Sequence, residues 1–215
     1  MKDENSRLSA KKAGNAAKII AVTAVYAALM VGVQFILSFA AGVELVSLLI
    51  IVYSAAFGVR RGSAVALVFV FLRGLIFPYT YLNILIIYVV HFPLLAIISG
   101  LYGKVIGKVF DKREELKARG ESMKNPIYRT LSARFVLLLA GLTVIVGVHT
   151  ACFTLLDDLI APPLLGLGEK STKAYFIGSL PTLATHVTCV AGSVALLFAP
   201  LFGAVRYAGK SFSAR

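Results

Sequence analysis

Charge is scarce in this sequence. Asp, Glu, Lys and Arg make up 15% of its 215 residues, and hydrophobic residues make up 59%. A soluble domain carries about 25% charged and roughly 45–50% apolar residues. So little charge beside so much apolar surface excludes a disordered chain and needs a solvent other than water, which points to an integral membrane protein. Cysteine is nearly as rare. Cys152 and Cys189, the two present, both sit inside apolar segments, which excludes an extracellular disulfide framework. The phosphate-cradling loop G-x-x-x-x-G-K-[ST] is missing too: Gly209-Lys210-Ser211 has Ala204 where the upstream glycine is required, so nucleotide phosphates find no Walker-type cradle. Neither an H-E-x-x-H zinc motif nor a G-x-S-x-G elbow occurs, and an enzyme is not expected.

What the chain has instead is a series of long apolar stretches. Six stand out, at 19–40, 43–57, 63–76, 83–103, 134–156 and 176–205. Four of them reach the ~20 residues that a helix needs to cross the hydrocarbon core. The stretches at 43–57 and 63–76 are shorter and each contains one charge, Glu44 or Arg73. They form either two full spans or a re-entrant pair, and both readings keep the termini on one side. The expected fold is an all-α integral membrane protein, a six-helix transmembrane bundle. A basic tail at 1–18 precedes a membrane domain at 19–205, and a second tail covers 206–215. The first stretch is too long for a signal peptide, whose apolar core is about 7–15 residues, and reads as a retained helix.

The net charge of +12 is a matter of topology and does not call for nucleic acid. Nineteen Lys and Arg lie in the two tails, the 60–61 turn and the 104–133 loop with its flank at Arg134, against Lys170 and Lys173 on the opposite side. By the positive-inside rule both termini and the mixed-charge, partly helical 104–133 loop face the cytoplasm of a multi-pass cell-membrane protein. The same residues touch anionic membrane lipid.

Polar residues inside apolar spans are costly and tend to mark sites. Glu44 and Arg73 both fall near the outer face and can pair, either to lock the bundle or to hold a ligand. His91, His149 and His186 lie about 7–10 residues below the outer ends of three spans, roughly 10–15 Å deep at 1.5 Å per residue. Three histidines at one depth suggest the floor of an outward-facing pocket. Phe77-Pro-Tyr79-Thr-Tyr81-Leu-Asn83 borders that pocket with groups able to stack or hydrogen-bond, although interfacial tyrosines also serve as membrane anchors. The 157–175 stretch, with Asp157, Asp158, Pro162 and Pro163, can close over it as a lid.

Two local patterns leave alternatives open. His149-Thr-Ala-Cys152 and His186-Val-Thr-Cys189 each place imidazole and thiol on one helical face, a donor set suited to zinc or copper, although buried thiols also act as plain apolar filler. Ala17, Ala21, Ala24 and Ala28 form a small-residue stripe, and Gly103-x-x-x-Gly107 repeats the idea. Each is a surface for close helix approach, within the bundle or between proteins.

Taken together, Ala24-x-x-x-Ala28, the run Gly-Val-Glu-Leu-Val-Ser-Leu-Leu-Ile-Ile at 42–51, Gly178-Ser-Leu-Pro181 followed by His186, and Pro200-Leu201 resemble the substrate-binding S component of energy-coupling factor (ECF) transporters, over essentially residues 18–205. The resemblance implies a subunit that captures a small organic micronutrient, a vitamin or precursor, from outside. It also implies assembly with a transmembrane T component, met through Ala24 and Ala28, and with two ATPase subunits that use ATP; no cofactor is expected in this chain. The S component would topple in the membrane to release its cargo. Glu44, Arg73, Tyr79, Tyr81, Asn83, His91, His149 and His186 are the expected ligand contacts. The competing readings are a transition-metal transporter subunit using His149, Cys152, His186 and Cys189, an intramembrane enzyme with histidine as general base, and a structural scaffold.

Overall fold

The computed structural model describes residues 2–40, 43–77 and 82–213, with side chains described from residue 14 to 209 except at 15, 82 and 83. The described residues form six helices and no strand: α1 (Lys2–Leu37), α2 (Val46–Phe57), α3 (Val59–Ile76), α4 (Leu82–Ala118), α5 (Pro126–Leu164) and α6 (Glu169–Ser213). Four contain segments long and apolar enough to cross a membrane, at Ala16–Leu37, Ile84–Ala118, Pro126–Leu164 and Glu169–Gly209. Their outer faces carry bare apolar side chains, among them Val25, Leu137, Val144 and Leu196, all more than 60% exposed. Such a surface is stable only in lipid or against another protein. The chain is a multi-pass helical membrane protein.

The short pair expected at 43–57 and 63–76 becomes α2 and α3, joined by Gly58 alone. Its φ of +86° is a backbone state that residues with a Cβ rarely adopt. At 1.5 Å per residue, the 12 residues of α2 run about 18 Å, short of the ~30 Å hydrocarbon core. Nine of those 12 are buried, Ile50, Ile51 and Val52 completely. A helix that is apolar all round belongs in a core, and α2 packs against α4, α6 and α3. Tyr26 on α1 donates to the Leu49 carbonyl (3.0 Å), Thr23 bonds the Tyr53 hydroxyl (3.0 Å), and the Tyr26 ring lies 4.6 Å from that of Tyr53.

Two expected loops are mostly helix. The 104–133 loop reduces to residues 119–125, because α4 continues to Ala118 and α5 begins at Pro126. Lys, Arg, Glu and Leu are good helix formers, and Glu115 ties the last turns together through Lys112 (3.2 Å) and Arg119 (2.6 Å). Gly120, at φ +82°, ends α4. Asn125 then caps α5 by accepting from the Ile127 N–H (2.8 Å), with Pro126 in the first turn, a position that suits proline because its missing donor would be unpaired anyway. Likewise the expected 157–175 lid is not a loop. α5 carries Asp157 and Asp158 and runs to Leu164, and only 165–168 separate it from α6. Pro162 and Pro163 lie in the last turn of α5, and the helix ends one residue beyond them at Leu164, as two missing N–H donors require.

The glycine motif on α4 is used inside the bundle. A Cβ on Gly103 would collide with the Ala55 backbone, and one on Gly100 would lie 2.7 Å from the Val59 nitrogen. α4 therefore seats the α2–α3 corner directly. The alanine stripe behaves differently. Ala27, Met30 and Val31 turn inward, while Ala17, Ala21, Ala24 and Ala28 are all exposed.

Candidate functional site

A cavity of about 510 Å³ opens between α4, α5 and α6, with Glu44 from the segment before α2. Each helix contributes one face. α4 supplies Ile84, Ile87, Tyr88, His91 and Phe92, and α5 supplies Phe153, Thr154, Asp157 and Asp158. α6 adds Tyr175, Ser179, Thr182 and His186. The spacings of three and four are those of helix faces turned toward one point. The helical lining residues lie in the first half of α4 and of α6 and the last third of α5, so the cavity belongs to the half of the bundle that holds the 165–168 turn. The basic 119–125 turn is at the other end.

The polar floor is built around Glu44, which is only 7% exposed. Its Oε2 lies 2.8 Å from His186 Nε2, and Ser47 Oγ donates to Oε1 at 3.1 Å. Its backbone carbonyl accepts the Cys189 thiol at 3.4 Å. A carboxylate removed from water requires such partners, and these tie the 43–45 segment to α6. The carboxylate is thus held by His186 and Ser47. The guanidinium of Arg73 lies 4.4 Å over the ring of Tyr88 and 5.7 Å over that of Phe77, a favourable cation–aromatic arrangement. Arg73 reaches the cavity wall through Tyr88.

The three histidines do converge, in two layers. His91 and His186 line the cavity. His149 lies behind, 8% exposed, stacked on His91 with ring centroids 4.7 Å apart and 16° between planes. Phe153 packs against both rings. Of the remaining expected contacts, Tyr79 and Tyr81 lie outside the described residues, as does the side chain of Asn83.

The His-x-x-Cys pairs do not assemble a metal centre. Cys152 is exposed, Cys189 is engaged with the Glu44 carbonyl, and among the described residues no three His, Cys, Asp or Glu side chains stand at metal-binding spacing. Coordination by both pairs needs the thiols to point at one place.

Sequence reasoning missed Tyr88, Phe92, Phe153, Tyr175 and Ser179 as wall residues, and placed Asp157 and Asp158 on a lid when they are in the wall. Ser179 donates to Asp158 Oδ2 at 2.6 Å, which joins α6 to α5 at the rim. The signal was present in the helical period, because Tyr88 is three residues before His91, and Ser179 and Tyr175 are seven and eleven before His186. Pro93 and Pro181 sit inside α4 and α6 at the level of the site. Each removes one backbone hydrogen bond from its helix.

The fold and cavity define a multi-pass helical membrane protein with a partly enclosed polar and aromatic chamber near one end of the bundle. No protein-family model, curated protein or solved structure matches the chain.

Proposed function

We propose that this chain is the substrate-capturing membrane subunit of an ECF-type importer, binding a small organic micronutrient in the α4–α5–α6 cavity for ATP-driven uptake by partner subunits. The observation that carries the reading is the cavity itself. About 510 Å³ falls within the roughly 300–1,000 Å³ of small-molecule sites, and its walls combine aromatic rings with a few buried polar groups. The basic-residue bias supports an arrangement with that end of the bundle outside and both termini in the cytoplasm. The exposed Ala24 and Ala28 then offer α1 to a T component, and two ATPase subunits complete the assembly.

An intramembrane enzyme is the second reading, favoured by the Glu44–His186 pair, in which a carboxylate orients an imidazole as in many general-base sites. His186 has Glu44 as its hydrogen-bond partner, and the Cys189 thiol bonds the backbone carbonyl of the same Glu44. That reading predicts turnover by the isolated chain.

The transport reading is tested by isolating the tagged full chain from its native membrane in mild detergent. One further multi-pass protein and ATPase subunits are expected in fixed ratio, and are lost when Ala24 and Ala28 are both replaced by Leu. A chain that isolates without an ATPase from membranes in which it is functional contradicts the proposal.

A further inference from the structure

We propose that a second pocket, at the end of the bundle that holds the 119–125 turn, binds the phosphate of an anionic phospholipid headgroup through Lys104, Lys108 and Arg206. None of its lining residues lies in the α4–α5–α6 cavity, so the two sites can be tested apart.

Small residues shape the pocket. Gly100, Gly103 and Gly107 recur on one face of α4 at spacings of three and four. With Ala55, Ala56 and Gly58 at the α2–α3 corner they line an opening of about 380 Å³, within the roughly 300–1,000 Å³ of small-molecule sites. Gly107 lets α6 take part. A Cβ there would lie 2.6 Å from Arg206 Nη1, so only a glycine admits the guanidinium to the wall, where its Nη2 donates to Asp111. The residue after each of the three glycines, Leu101, Lys104 or Lys108, is exposed. The neighbouring face of α4 therefore runs beside the pocket from apolar Ile97 and Leu101 to the two lysines.

Charge and depth select the ligand. The described lining holds three cations and one carboxylate, and whatever else Asp111 contacts, it offsets at most one of the three. Lys104 and Lys108 are in no ion pair among the described residues. The acids farther along α4 are already engaged, Glu114 by Arg113 (2.8 Å) and Glu115 by Lys112 and Arg119. The depth is that of lipid phosphate. The apolar stretches of α4 and α6 stop at Lys104 and Arg206, and that of α3 begins after Arg60 and Arg61. In a bilayer this level is the headgroup region, where basic pockets between helices hold anionic headgroups. A headgroup seated on Lys104 and Lys108 leaves its acyl chains along exposed Leu101 and Ile97 on the same face. Free phosphate would use the same cations but not that apolar stripe, which favours the lipid as the source.

The test uses the full chain in neutral detergent micelles, freed of native lipid, with phosphatidylglycerol or phosphatidylcholine added back. The readout is the thermal unfolding midpoint. Phosphatidylglycerol is expected to raise Tm by about 4 °C at roughly tenfold excess over half-saturation. It should half-saturate at a concentration about tenfold below that of zwitterionic phosphatidylcholine. K104Q/K108Q is expected to weaken phosphatidylglycerol by about tenfold or more. K117Q/K124Q removes the same charge from exposed positions outside the pocket at the same end of the bundle, and should keep the wild-type response. If the pocket double variant does not fold, K104Q and K108Q singly carry the comparison. Inorganic phosphate, at ionic strength matched with chloride, is expected to leave Tm unchanged. Equal weakening by the two double variants overturns the site, as does an equal response to both lipids with no response to phosphate. A Tm rise with inorganic phosphate as large as that with phosphatidylglycerol, abolished in K104Q/K108Q, overturns the lipid as the source and leaves the phosphate site standing.

Discussion

Gly103 and Gly178 should respond oppositely to the same substitution, and the alanine stripe of α1 hardly at all. Gly103 presses α4 onto the backbone of α2, so that a single added Cβ would collide with Ala55. The obstacle is main chain in a helix nine-twelfths buried, which cannot rotate away as a side-chain tip can. Overpacking a well-filled core costs about 1–3 kcal/mol and occasionally more, and a backbone collision belongs at the upper end. Against it stands the gain of about 1 kcal/mol when Ala replaces Gly in a helix. Gly103→Ala is therefore expected to destabilise by a net ~2 kcal/mol. At Gly178, where an added Cβ meets nothing within 4 Å, Ala should stabilise by up to ~1 kcal/mol. Ala24→Leu adds more bulk than either, yet Ala24 is exposed, and its effect should stay within about 0.5 kcal/mol. The assay is the denaturation midpoint of the purified chain in mixed micelles titrated with SDS, followed by circular dichroism. The packing argument is refuted if Gly103→Ala unfolds at the midpoint of Gly178→Ala, or if Ala24→Leu is the least stable of the three.

The Glu44 contacts give a second prediction. Glu44→Ala strands Ser47 and His186 and should cost about 1–3 kcal/mol in the same titration, with Glu44→Gln costing less because an acceptor oxygen remains; equal midpoints for Ala and wild type would contradict the pairing. Orientation gives a third. In a background with Cys152 and Cys189 changed to Ser, a membrane-impermeant maleimide should label Gly168→Cys in intact cells and Ser122→Cys only after permeabilisation. The reverse pattern would overturn the outward placement of the cavity.

The sequence made the number of helices and the four long spans legible, because apolar length is the signal that a bilayer imposes. Helix ends were less visible. Hydropathy marks where apolarity stops; at Lys104 it stops while α4 continues on good helix formers, and at Asp157 and Asp158 it dips while α5 continues through Leu159, Ile160 and Ala161. The true ends are written in smaller marks: Gly120 and the Asn125-Pro126 cap for one turn, Gly166 for the other. The site shows the same division. Rare polar residues in apolar spans led to Glu44, His91, His149 and His186, and the structure gathers all four at one level. Their pairing was not readable, since the partner of Glu44 lies 142 residues away on α6 and is fixed by helix packing. Arg73, matched to Glu44 in the sequence by charge alone, lies over the ring of Tyr88. The aromatic wall was overlooked because Phe and Tyr in an apolar helix do not look unusual until a neighbouring face has been located.

The central claim is that the α4–α5–α6 cavity holds a small organic molecule, and native mass spectrometry of the gently purified chain tests it most directly. Wild type should carry an added mass in the range of a vitamin-sized molecule. Thr182→Trp, which fills the cavity from α6, should retain its unfolding midpoint and show the bare chain mass. A wild-type chain without any organic adduct, or an adduct that persists undiminished in folded Thr182→Trp, would contradict the account.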